Sequence, residues 1–124
     1  MSVLGTTEYR RKVESEDKVS RLATVLRRLR SARGWSCRQL AKMTDVPASS
    51  ISNYEKGLQI PRRDVLQKIG DAMDVPAELL AWFAYAEVNP RKRSRSFVLD
   101  VDKVMMDQVE VFVQALREEK EERR

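Results

Sequence analysis

The chain has 124 residues, 42% of them apolar and 6% aromatic, which allows one small, mainly aliphatic core plus extensions. A single cysteine excludes an intrachain disulfide and a cysteine zinc cluster, and the lack of histidine removes the commonest acid–base group and metal ligand. No apolar run is long enough to span a bilayer and no signal-peptide pattern opens the chain, so a soluble, cytoplasmic protein without a cofactor is expected. The net charge of +5 is unevenly spread: residues 18–86 carry twelve Lys or Arg against six Asp or Glu, whereas residues 100–124 are net acidic. Positive charge concentrated on one region suits a polyanionic partner.

Residues 1–17 are polar and lack a capping signal, and they read as a flexible arm. Val19, Leu22, Ala23, Leu26 and Leu29 then recur at helical spacing, predicting a helix over Lys18–Arg33 that ends at Gly34. Trp35 bridges to the next element in a core or rim role. Ser36 can cap a helix over Cys37–Thr44, where Leu40 and Met43 form an apolar face with the small Ala41 between them. Asp45-Val46-Pro47 breaks that helix, and Val46 plugs the gap to its successor. The next helix, over 48–56, turns Ile51 and Tyr54 inward and Ala48, Ser49, Ser52 and Asn53 outward, with Gly57 as its C-cap. Glu55 is read as structural, bonding back to the previous helix or pairing with an arginine.

A loop over 58–61 leads to a fourth helix opening at Pro61 or Arg62, with Val65, Leu66, Ile69 and Met73 on one face and Gly70 allowing a close crossing. Val75-Pro76 starts a fifth. Its Leu79, Leu80, Trp82, Phe83 and Tyr85 exceed what one face of a short helix buries, which implies a second contact, either a dimer partner or the C-terminal extension. Residues 87–99 form a basic linker whose Arg91-Lys92-Arg93-Ser94-Arg95-Ser96 run either touches phosphates or is simply solvated. Residues 100–124 predict an amphipathic helix, with Asp100 and Asp102 at its positive end. That helix can fold back on its own domain or dimerise. The linker before it and the apolar surplus on both sides favour dimerisation, through Trp82, Phe83, Val101, Val104, Met105, Gln108, Phe112 and Leu116.

Two short helices joined by a tight turn, the second one poor in charge, have the build of a helix-turn-helix, in which one helix enters the major groove of DNA. Gln39-Leu40-Ala41, Val46 in the turn, Ile51-Ser52, Tyr54-Glu55, Gly57 and Pro61 together resemble the lambda-repressor-like (Xre/Cro) helix-turn-helix family, over about Val19 to Trp82. Cys37 and Ala48 stand where that family often has glutamine. The resemblance implies an all-α fold, a compact five-helix DNA-binding domain over 18–86, to which the C-terminal amphipathic helix is added.

Ser49, Ser52 and Asn53 are the candidates for base edges, and Ala48 for a thymine methyl, because asparagine pairs bidentately with adenine and serine serves several bases. The resemblance assigns phosphate contacts to Ser36, Cys37, Arg38, Ser50, Lys56, Arg62 and Arg63, at the start of the second helix and around the loop before the fourth. In the arm, Arg10, Arg11 and Lys12 are further candidates for the DNA backbone or minor groove, set against plain disorder. The expected function is a sequence-specific transcriptional regulator that binds double-stranded DNA, as a homodimer on a palindromic operator; repression comes from the resemblance alone. Two alternatives remain open: an antitoxin whose last helix grips a toxin, and an adaptor that binds a polymerase component without reading bases. Scattered acids and the missing glycine-rich phosphate loop argue against an enzyme. Cys37, at a helix N-terminus beside Arg38, is either an inert thiol or a redox switch on DNA affinity.

Overall fold

The structure, a computed structural model, describes residues 18–86 and 95–122. The expected arm and most of the basic linker lie outside the described residues. Six helices follow one another: α1 Lys18–Arg33, α2 Cys37–Thr44, α3 Ala48–Glu55, α4 Arg63–Met73, α5 Ala77–Tyr85 and α6 Arg95–Glu122. The described residues form an all-α fold, a helix-turn-helix region followed by a C-terminal helix.

Local chemistry sets the boundaries. Ser36 closes a capping box: its Oγ accepts from the Gln39 amide at 3.1 Å, and its own amide donates to Gln39 Oε1 at 2.7 Å. Asp45 and Asp74 end α2 and α4 in the left-handed region, with φ of 56° and 58°, a conformation that aspartate tolerates better than most residues. Gly70 sits where α4 meets the start of α5. A β-carbon there would lie 2.6 Å from the carbonyl oxygen of Val75, so the close approach needs glycine.

The core is aliphatic, as the composition requires. Leu22, Val25, Leu26 and Leu29 of α1 meet Leu40, Ile51, Leu66, Ile69, Met73, Leu80 and Phe83, all at most 2% exposed. Val46 is buried in the turn between α2 and α3. Met43 differs from expectation and is 59% exposed. The inward face of α2 is Leu40, Ala41 and Thr44, whose mean direction lies about 100° away from Met43 around the helix. Thr44 reads as polar but is tolerated there, because its hydroxyl donates to the Leu40 carbonyl at 2.8 Å.

The C-terminal helix departs most from expectation. It begins at Arg95, so residues 95–99 of the anticipated linker are helical, and Asp100 and Asp102 lie inside the helix rather than at its start. It folds back along α1 and touches α5. Val109, Val113 and Leu116 join the same core. Asp102 is fully buried, accepts from Trp82 Nε1 at 2.6 Å and pairs with Arg21. Arg28 pairs with Glu110 at 2.5 Å. Phe83 and Leu116, expected at a dimer contact, are therefore sealed in the chain's own core, and Trp82 is engaged with Asp102. The apolar surplus of α5 is met by the C-terminal extension. Of the other residues expected at a dimer contact, Val104 and Gln108 stay exposed, while Val101, Met105 and Phe112 are half-buried.

Candidate nucleic-acid interface

The turn between α2 and α3 presents α3 outward. Pro47 precedes α3, so its missing amide falls where no intrahelical partner exists. Inside, Ile51 and Glu55 are buried. Glu55 is the one acidic residue of α3, and it is drawn into a fork: Arg30 Nε and Nη2 donate to its two oxygens at 2.6 and 2.8 Å, while Nη1 donates to the Trp35 carbonyl at 2.7 Å. Hydrogen bonding and charge from Glu55 hold the Arg30 guanidinium above its ordinary pKa. Of the two structural roles read for Glu55, the pairing with an arginine is the one found, and that arginine is Arg30 of α1.

With that acid withdrawn, the outer face of α3 is short and polar. Ser49 is exposed, and Ser52 and Asn53 are half-exposed on the side opposite Ile51. Ala48 is half-buried and packs against the core, so of the four base candidates it is the least projecting. Asn53 Nδ2 donates to Gln59 Oε1 over a long 3.5 Å. Gln59 was not among the expected site residues; nothing in its spacing marked it.

The expected phosphate contacts divide in the same way. Arg38, Lys56, Arg62 and Arg63 are exposed cations, and Arg62 is 84% exposed with Asp64 at 3.5 Å. Ser36 is exposed but its side chain serves the cap, and Ser50 is half-buried. Cys37 is half-buried against the core, a position that suits packing. Lys42 is a further exposed cation on α2 and was not singled out in the sequence. Tyr85 was read only as a marginal apolar residue, yet its hydroxyl donates to the Pro61 carbonyl at 2.6 Å and the Arg63 guanidinium lies over its ring, 4.7 Å from the centroid.

The two flanks of α1 separate this surface from the C-terminal helix. Arg28 reaches Glu110 of α6, and Arg30 reaches Glu55 of α3. Two residues along an α-helix is a rotation of about 200°, so α3 and the first half of α6 lie on different flanks of α1, while the end of α6 comes round to Arg33, which pairs with Glu119 at 3.6 Å. No helix among the described residues is long and apolar enough to cross a membrane.

A family model described as a helix-turn-helix domain matches residues 21–83, just over half of the chain. No curated protein and no solved structure matches significantly.

Proposed function

The chain belongs to the helix-turn-helix domain family, and on that premise we propose that it is a sequence-specific transcriptional regulator of the lambda-repressor-like type. It binds double-stranded DNA with α3 in the major groove, acts as a repressor and reads a palindromic operator as a homodimer. The observation that carries this reading is the withdrawal of Glu55 into the Arg30 fork. It leaves Ser49, Ser52 and Asn53 on a helix face without an acidic side chain, and on the elements around it exposed Arg38, Lys42, Lys56, Arg62 and Arg63 outnumber exposed Asp45 and Asp64. Phosphate-directed cations position the domain, and the short polar side chains of α3 read base edges.

A palindrome read within one turn of DNA requires two recognition helices on the same side of the dimer. Pairing through the first half of α6, held on the Arg21 and Arg28 flank of α1, would set them apart. Besides Met43 on α2, the exposed apolar side chains near α3 include Leu58 and Ile60, 69% and 39% exposed, in the loop that follows the recognition helix. We place the two-fold contact there. The outward face of α6, with Val104 and Val111 at 57% and 59% exposed, favours a second reading for that helix, in which it holds a protein partner such as a toxin.

Selection of bound duplexes from a random pool tests the proposal. The expected product is a palindrome with half-sites about one helical turn apart. On it, Asn53→Ala should lose discrimination against random DNA, whereas Arg62→Ala should weaken both duplexes alike. Equal losses on both duplexes for Asn53→Ala would contradict base reading by that residue.

A further inference from the structure

A phosphate contact sets the register of a recognition helix only if its donor is held at a fixed place relative to that helix. The segment between α3 and α4 has to do this for Arg62 and Arg63, and it has no regular structure of its own. Its first end is tied to α3 by backbone bonds: the Lys56 amide donates to Ser52 and the Leu58 amide to Asn53, both at 2.9 Å. Its far end reaches the buried Pro61, which has no amide hydrogen to give.

Two contacts from one side chain converge on that far end. The Tyr85 hydroxyl, from the last residue of α5, donates to the Pro61 carbonyl at 2.6 Å. The Tyr85 ring lies 4.7 Å from the Arg63 guanidinium at the first residue of α4. We propose that Tyr85 is a positioning residue for the DNA backbone contact: its hydroxyl fixes the loop and its ring aims Arg63. The inference rests on the DNA-binding reading above.

The chemistry of the two contacts is compatible with a bound phosphate. Stacking engages the flat face of a guanidinium, while a phosphate is taken by its N–H edge. An arginine already held by an aromatic ring loses less rotamer freedom when it meets its ligand. Tyr85 itself need not touch DNA for the effect to be felt there.

Binding to a mixed-sequence duplex, measured over a range of salt concentrations on the full chain, tests the inference, with thermal melts run alongside. Arg63→Gln should lower the slope of log affinity against log salt by about one. Tyr85→Leu should do the same and weaken binding about fivefold, and Tyr85→Phe, which keeps the ring, about twofold. On the Arg63→Gln background, Tyr85→Leu should cost far less than it does alone, the mark of a shared interaction.

A tyrosine that only stabilises α5 would lower the melting temperature but leave the salt slope unchanged, and its losses would add to those of Arg63→Gln; that result overturns the inference. Should Tyr85→Leu fail to fold, Tyr85→Phe and Arg63→Lys decide, since one removes the hydroxyl alone and the other the planar stack. Unchanged affinity in both overturns the inference. A parent protein that binds the duplex while every Tyr85 variant binds equally well refutes this role alone; a parent that binds no duplex refutes the DNA-binding reading as well.

Discussion

Helices α3 and α6 are opposites. The first is eight residues, rich in serine and asparagine, and far too short to be stable by itself. It persists because Ile51 and the forked Glu55 anchor it to its neighbours, and everything it does not need for that anchorage stays polar and accessible. The second is 28 residues, with an apolar stripe that fills a groove along α1 and with enough left over to expose Val104 and Val111. Of these two helices, the one with the stronger hydrophobic pattern is scaffold, and the weaker one carries the candidate site. A surface that must approach base edges cannot also be the one that drives folding.

That contrast can be broken by substitutions of graded severity. Glu55→Ala strands the Arg30 guanidinium in a partly buried position, and denaturant unfolding should report a loss of about 4 kcal/mol together with weakened DNA binding. Leu116→Ala opens a cavity under α6 and should cost about 3 kcal/mol by the same measurement. Its DNA affinity should stay at the parent level wherever the protein is folded, because Leu116 is buried on α6 and is no part of the α3 surface. Loss of sequence discrimination in Leu116→Ala would mean that the two sides of α1 are coupled.

Asp102 offers a test by pH. Burial pushes its carboxyl from 3.8 up to about 7, outweighing the pull of the neighbouring Arg21 guanidinium toward the charged form. Between those values the folded chain holds a proton that the unfolded chain has released, so this group makes stability fall as pH rises from about 4 to 7. Asp102→Asn keeps an acceptor for Trp82 and should flatten that part of the melting-temperature profile. A profile unchanged by the substitution would assign the pH dependence elsewhere.

Ser36→Ala removes the side-chain half of the capping box and should cost about 1 kcal/mol. Val104→Ser should change stability by no more than about 0.5 kcal/mol. Sedimentation of that variant sharpens the comparison: an unchanged dimer agrees with a two-fold contact at Leu58 and Ile60, while dissociation to monomers would move the contact to α6.

Much of this was legible from residue order. The spans of α1 and α2 follow from periodicity and capping, and Ser49, Ser52 and Asn53 share an outward face because they avoid the Ile51 side of a 3.6-residue repeat. Met43 misled because three-residue spacing to Leu40 fits more than one helix face, and Thr44, although polar, can bury its hydroxyl against a carbonyl one turn back. Gln59 and Tyr85 gave no warning. Their partners, Asn53 and Pro61, are met only once the loop and α5 are brought into place.

Helical periodicity, caps and breakers depend on neighbours within a few residues, so the sequence by itself determined the helical elements, the turn before α3 and the charge-poor outer face. Where a long amphipathic helix spends its stripe is a choice among surfaces distant in the chain. The burial of Asp102 against Trp82 and Arg21, the fold-back of α6 and the Tyr85 bridge to Pro61 join residues 20 or more positions apart. Packing of the whole molecule decided those.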